Sequence, residues 1–293
     1  PASRNATPDS LSIFGDPLSR LEFSTVKDFL EFRDSNKEMG LHGMEDPLPQ
    51  YLAKQYPHEI HADLTLLSIL NVDIEVEHSQ GFPDPHLAQQ EVMSISMKWF
   101  GHPCVTLGTK PSDEPGYIQC FDEANLLETF LDLYERKYPD IITGWNVEMF
   151  DIVYMVNRLD IVLGPKAAQR LSPFAGKSRR PVTEHENYMG EKYYKILGVT
   201  TVDYLELYKK FSPDKQESYK LDYIANAELG EGKVDYSEYG NSLMRLYHEN
   251  YPLFVKYNVR DVELVERLDD KLQFIQLLMT VTYMVKGRVE DSQ

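Results

Sequence analysis

The chain has 293 residues, 42% of them hydrophobic, and a formal net charge of −17. That length suits one large domain, or one domain with a smaller piece, around a sizeable core. The charge excludes a protein that wraps duplex DNA by neutralising phosphates with Lys and Arg. It leaves room for a nuclease whose positive charge comes from metal ions. The two cysteines, Cys104 and Cys120, form no CxxC pattern and suit a reducing, cytoplasmic compartment. No run approaches the roughly 20 apolar residues of a membrane helix. The chain begins at Pro1 rather than methionine, shows no signal peptide and reads as a piece of something longer.

Residues 1–65 read as a partial domain or irregular arm, with one helix-like segment in Ser19–Asn36 and no chemistry of its own. LTLLSILNVDIEV, residues 64–76, reads as a central strand ending in acids. Alternation puts Asp73 and Glu75 on one face, with Val72, Ile74 and Val76 on the other. Two carboxylates on one side of a buried strand repel each other unless a cation lies between them. Alone, a DxE in an acidic chain is more often a solvated strand end. His78–Gln90 is a loop carrying Phe82, an aromatic that could stack on a base or simply pin the loop. EVMSISMKWF reads as a strand with Met93, Ile95, Met97 and Trp99 on one face, followed by a strand in Pro103–Thr109.

Residues 122–137 read as an amphipathic helix capped by Asp122, with Leu126, Leu127, Phe130 and Tyr134 inward. A short strand follows at Asp140–Thr143. Asn146 is expected to cap a helix with Asp151 one turn in. Capping explains Asn146 but not an acid beside Phe150 on the apolar side. The basic stretch 164–181, with Lys166, Arg170, Lys177, Arg179 and Arg180, reads as a phosphate-facing patch or a solvated loop. Thr183–Leu197 reads as a hairpin turning at Met189-Gly190. Asp203 ends the next strand, as a cap or a fifth site acid. Ser218–Gly230 is helical with Gly230 near its C-cap. Leu243–Val285 is helical almost throughout and restarts at Pro252.

In YNVRD, Tyr257 and Asp261 stand four apart, one turn from each other on one helix face. With DIE and NVEMFD, the chain offers Asp73, Glu75, Asp151 and Asp261 from three distant places. That is the donor set of a two-metal phosphodiesterase site.

The order Asp73-x-Glu75, Asn146-x-x-x-Phe150-Asp151, Tyr257-x-x-x-Asp261 resembles the three motifs of proofreading 3′–5′ exonucleases whose third motif carries tyrosine. With the flanks DIEVEHSQGFPDP, ITGWNVEMFDIVYMVNRL and DYLELYKKF, the chain is similar to family B DNA polymerases, those of T-even-type bacteriophages above all, from about residue 60 onward. The polymerase motifs DxxSLYPS, KxxxNSxYG and YxDTDS are absent from it. The resemblance implies an α/β, RNase H-like fold: a mixed central sheet of about five strands flanked by helices, plus a partial N-terminal domain. The division expected is 1–65, 66–275 for the exonuclease, and 276–293 as a helical return.

The resemblance also implies a mechanism. Two divalent ions, Mg²⁺ or Mn²⁺, are expected, bridged by Asp73. Glu75 and Asp261 complete one site, Asp151 serves the other partly through water, and Tyr257 orients the attacking water. A phenol with a pKa near ~10 is a poor base at neutral pH, so its role is positioning. Phe82, Asn146 and Phe150 are expected to place a single-stranded DNA 3′ end, and the hairpin to hold strands apart. The parent is expected to polymerise DNA in a host cytoplasm, with a sliding clamp and a single-strand-binding protein as partners and no membrane. Two other readings stay open: a free-standing exonuclease of DNA or structured RNA, and a non-catalytic DNA- or RNA-binding module.

Overall fold

A computed structural model of the chain describes residues 10–12, 14–42, 47–79 and 81–292. Residues 1–9, the start of the segment read as an irregular arm, lie outside the described residues. The chain divides into two compact units, 1–61 with 282–288, and 62–281 with 289–293.

The smaller unit holds a two-stranded pair, β1 (Ser10–Leu11) and β2 (Pro17–Leu18), and helices α1 (Val26–Ser35) and α2 (Pro47–Gln55). The helix expected in Ser19–Asn36 is α1. Thr25 starts it by accepting the Asp28 N–H, and Phe23 packs on Phe29 and Phe32.

The larger unit is a mixed six-stranded sheet between two helical layers. In space its strands run β10 (Thr200–Asp203), β7 (Ile141–Gly144), β3 (Ile69–Val76), β4 (Val92–Trp99), β5 (Val105–Gly108) and β6 (Tyr117–Gln119). The pairs β10–β7, β7–β3 and β5–β6 are parallel; β3–β4 and β4–β5 are antiparallel. The sixth strand beyond the expected five is β6. It has three residues at the sheet edge, too few to show a period.

One face of the sheet packs against α3 (Glu123–Arg136) and α4 (Asp151–Val162). Leu70, Val72, Ile74 and Val76 of β3 enter this core with Leu126, Leu127, Phe130 and Leu131 of α3. Each such fully buried side chain is worth roughly 1.5–3 kcal/mol. That burial fixes the register of β3 and offsets the cost of the acids on its other face. Asp122 caps α3 as expected, accepting the Asn125 N–H at 2.8 Å.

The other face carries α8 (Tyr251–Leu272). The helical run read as nearly continuous is three helices, α7 (Leu243–Glu249), α8 and α9 (Phe274–Val285). Asn250 caps the restart at Pro252, and Gln273, in the left-handed region (φ +57°), separates α8 from α9. The single-face reading of β4 needs one correction. The β3–β4 register slips between Glu75 and Val76, so Met93 is an extra residue that bulges. Met93 therefore packs with Tyr251, Phe254 and Val255 of α8, while Ile95 and Met97 stay in the other core.

The remaining elements follow expectation. Strands β8 (Val182–Glu186) and β9 (Lys192–Ile196) form the hairpin, with Gly190 at φ +81° in its turn. Helix α5 (Tyr204–Phe211) follows β10, and α6 (Leu221–Leu229) ends at Gly230 in the left-handed region. A short α10 (Val289–Ser292) follows α9.

Candidate active site

Strand alternation aims Asp73 and Glu75 at the α8 side of the sheet. Helix α8 lies across them because its inner stripe is apolar except at chosen points. Asn71 Nδ2 donates to Val262 O at 2.7 Å, tying strand to helix. Asp261 then meets the strand acids: carboxylate oxygens of Asp73, Glu75 and Asp261 lie within 4.8 Å of one another. Residues 73 and 261 are thus joined by fold rather than by sequence. Asp73, Tyr257 and Asp261 open onto a cleft of about 860 Å³, also lined by Trp145, Asn146 and Lys233.

Asp151 stands outside that three-carboxylate group. It is the first residue of α4, and its Oδ1 accepts the Ile74 N–H at 3.0 Å. This places the fourth acid against the backbone of the strand that carries the first two.

The electrostatics are those of a site short of positive charge. Burial, then the Asp261 charge, push Asp73 up to about 8. Burial and the neighbouring Asp73 raise Glu75 well above the carboxylate range, and Asp151 rises for the same two reasons. Burial also raises Asp261, against the pull of Lys233. Asp261 Oδ1 is buried with no hydrogen-bond partner among the described residues. An orphaned carboxylate oxygen among three acids is a hard-oxygen donor set suited to a divalent cation.

Two residues outside the expected set complete the site. Lys233 Nζ donates to Asp261 Oδ2 at 2.5 Å and to Tyr257 Oη at 2.9 Å. Burial pulls its pKa down, but the charge of Asp261, with Tyr257 and Asp73, more than offsets this and holds it as a cation. Lys233 comes from a loop between α6 and α7, so nothing local in the sequence marks it. Asn258 is fully buried beside Asp73: Nδ2 donates to Asp73 Oδ2 at 2.6 Å, and Oδ1 accepts from Ser94 Oγ at 3.0 Å and Ser96 Oγ at 2.8 Å. Its signal was present, since an Asn on the buried stripe of a helix must satisfy an amide somewhere.

Tyr257 lies one turn before Asp261, packed edge-on against Tyr236 at 5.3 Å. Burial, then the Asp261 charge, raise its phenol well above the ordinary value, so it keeps its proton. Phe82 is 84% exposed, and its ring centroid is 5.3 Å from that of Phe150, the residue before Asp151. The two rings thus pack together at the start of α4.

Two expectations change, those for Asn146 and Arg170, and the two readings of Asp203 resolve. Asn146 does not cap a helix; α4 starts at Asp151, and Asn146 sits in a left-handed turn at φ +64°, a region that Asn tolerates. Asp203 holds that turn. It accepts the N–H groups of Asn146 and Glu148, each at 3.1 Å, while capping α5 through Leu205 N–H at 2.9 Å. Asp203 is therefore a cap and a brace, not a fifth site acid. In the basic stretch 164–181, Arg170 is not free for phosphate, because it pairs with Glu128, Asp132 and Glu135 of α3.

The family profile described as DNA polymerase family B, exonuclease domain, matches residues 46–224. The match ends before α8. The DNA-directed DNA polymerase of Escherichia phage RB69 is 33% identical, over 95% of this chain and 34% of that protein. The DNA-directed DNA polymerase of Enterobacteria phage T4 is 30% identical, over 94% of this chain and 33% of that protein. The DNA polymerase delta catalytic subunit of Caenorhabditis elegans is 27% identical over 78% of this chain and 22% of that protein. The chain thus spans about a third of the length of the phage polymerases it matches. Among the described residues no helix is long and apolar enough to cross a membrane. By the profile match across its central sheet and its likeness to phage polymerases over nearly its whole length, the chain belongs to the family B DNA polymerases and carries their exonuclease domain.

Proposed function

We propose that this chain is the 3′–5′ proofreading exonuclease of a DNA polymerase. It hydrolyses the last phosphodiester of a single-stranded DNA 3′ end and releases nucleoside 5′-monophosphates. The observation that carries this reading is the meeting of Asp73, Glu75 and Asp261, with Tyr257 one turn before Asp261 on the cleft that Asp73 and Asp261 also line.

The residues fit divalent ions, Mg²⁺ or Mn²⁺. Asp73, Glu75 and Asp261 would hold one, and Asp73 with Asp151 a second. Bound there, such ions supply Lewis acidity that makes water a nucleophile at neutral pH and neutralises a leaving oxygen. The protein's own groups do the rest. Tyr257 keeps its proton, so it positions water rather than deprotonating it. Lys233 can only donate, so it occupies a lone pair of the Tyr257 oxygen and leaves the phenolic proton free to point elsewhere. Lys233 also places a cation where an anionic phosphodiester approaches the acids. Phe82 and Phe150 offer ring faces to the terminal bases, a mode indifferent to base identity. A mismatched end frays more cheaply than a paired one, so unpairing energy supplies part of the selection.

The test is product identity. Incubated with a single-stranded oligonucleotide and Mg²⁺ or Mn²⁺, the protein should release nucleoside 5′-monophosphates, resolved by chromatography, and none in EDTA. Tight oligonucleotide binding with no release under either metal would replace this reading with a non-catalytic binding module.

A further inference from the structure

Asn157 lies in α4, two turns beyond Asp151, and all three of its amide's principal bonds are in use. Nδ2 donates to Pro85 O at 3.0 Å and to Val153 O at 2.9 Å. Oδ1 accepts from Tyr194 Oη, on β9 of the hairpin, at 2.9 Å. Pro85 belongs to the loop that carries Phe82. The loop's other ties to α4 reach residues further along: Tyr154 Oη donates to Gln90 O, and Arg158 to Ala88 O and Gln89 O. Among the described residues, Asn157 thus makes the hydrogen bond from α4 that falls nearest Phe82 in sequence.

The chemistry of the amide fixes its orientation. The two carbonyls can only accept, so Nδ2 must face them and Oδ1 must face the hairpin. The Tyr194 hydroxyl then completes a continuous path from hairpin to loop. The base of the hairpin is anchored by buried Ile196, whereas its tip exposes Tyr188 (92%) and Met189 (66%). A cavity of about 240 Å³, lined by Met149, Asn187, Tyr193 and Tyr194 among others, lies against β9.

We infer that Asn157 is a positioning residue that couples the β8–β9 hairpin to the Phe82 loop, so that the hairpin's position sets the aromatic platform for the terminal base. This rests on the exonuclease reading above. A strand that presses the exposed hairpin tip moves Tyr194, and through Asn157 it moves Pro85 and the platform.

The test uses Tyr194→Phe, Asn157→Asp and the double variant of the full chain. Tyr194→Phe removes one hydroxyl from an otherwise unchanged ring. Asn157→Asp turns a donor pair into acceptors facing two carbonyls. Quenching of 2-aminopurine at the 3′ end of a single-stranded oligonucleotide, titrated in EDTA, reads stacking without turnover. Steady-state digestion with Mg²⁺ reads KM and kcat. Tyr194→Phe should weaken quenching and raise KM about fivefold, the worth of one neutral hydrogen bond, and Asn157→Asp, which loses two, should do so at least as strongly, each with kcat within about twofold. The double variant should be no worse than Asn157→Asp alone, because both cut one path. Wild-type quenching and KM in Tyr194→Phe, or additive effects in the double variant, would overturn the coupling. A wild-type protein that digests nothing defeats the exonuclease reading instead, and the metal-free titration still decides the coupling.

Discussion

Replacing Asn258 by alanine tests whether the acids are held by a built receptor or merely lie near one another. The residue is fully buried, and its amide serves Asp73 Oδ2, Ser94 Oγ and Ser96 Oγ. Ser96 keeps a partner after the change, since its Oγ also lies 2.8 Å from Thr106 Oγ1. Asp73 loses its 2.6 Å donor, and Ser94 loses its acceptor. A buried polar group left unpaired costs about 1–3 kcal/mol, and the change leaves two such groups, the Asp73 carboxyl and the Ser94 hydroxyl. Water entering from the cleft recovers part of this, so the net loss should be about 3 kcal/mol. At roughly 2–4 °C per kcal/mol for a domain of this size, the midpoint falls by about 6–12 °C. The same change frees the carboxylate proposed to hold the metal to rotate, which should weaken Mn²⁺ binding about 10- to 100-fold. Calorimetric melting in EDTA reads the first effect, and Mn²⁺ titration calorimetry the second. Asn258→Ala that melts within about 2 °C of wild type, with Mn²⁺ affinity unchanged, would show that this amide does not hold Asp73 in place.

Asp203→Ala removes a brace shared by three backbone N–H groups. With the α5 cap lost as well, stability should fall by about 2–4 kcal/mol in urea melts, and turnover should fall with the loosened Asn146 turn. Arg158→Met leaves the largely covered Glu123, whose Oε1 keeps only the Val92 N–H, without the guanidinium that it accepts from at 2.7 Å, at a cost of about 3 kcal/mol. Adding Glu123→Gln should recover part of that in the same melts. The metal-free protein should also lose stability as pH rises. Asp73 is pushed up to about 8, and Glu75, Asp151 and Asp261 are raised, so between about pH 4 and 8 the native state holds protons that the unfolded chain has released. Melting temperature in EDTA should therefore decline across that window, and Mg²⁺ should flatten or reverse the slope. A rise in EDTA would contradict the placement of these acids.

The acids were legible in the sequence because each sits at a local landmark. Asp73 and Glu75 alternate with Val72, Ile74 and Val76 in a strand, and Tyr257 and Asp261 keep helical spacing. What escaped was what only tertiary contact creates. Lys233 reaches Asp261 from 28 positions away in a loop with no pattern of its own. Arg170 looked free because its partners on α3 lie 35 to 42 positions upstream. Asn146 looked like a cap because Asn favours both caps and left-handed turns, and the choice between them was made by Asp203, from another strand. Met93 kept strict alternation in the sequence, and a bulge against β3 turned it to the opposite face.

The most direct test of the central claim is the polarity of digestion. A 5′-labelled single-stranded oligonucleotide should shorten in a ladder from its 3′ end with Mg²⁺ or Mn²⁺. The ladder should vanish in EDTA and with Asp73→Ala. An intact substrate under both metals, or a ladder that survives Asp73→Ala, would contradict the account.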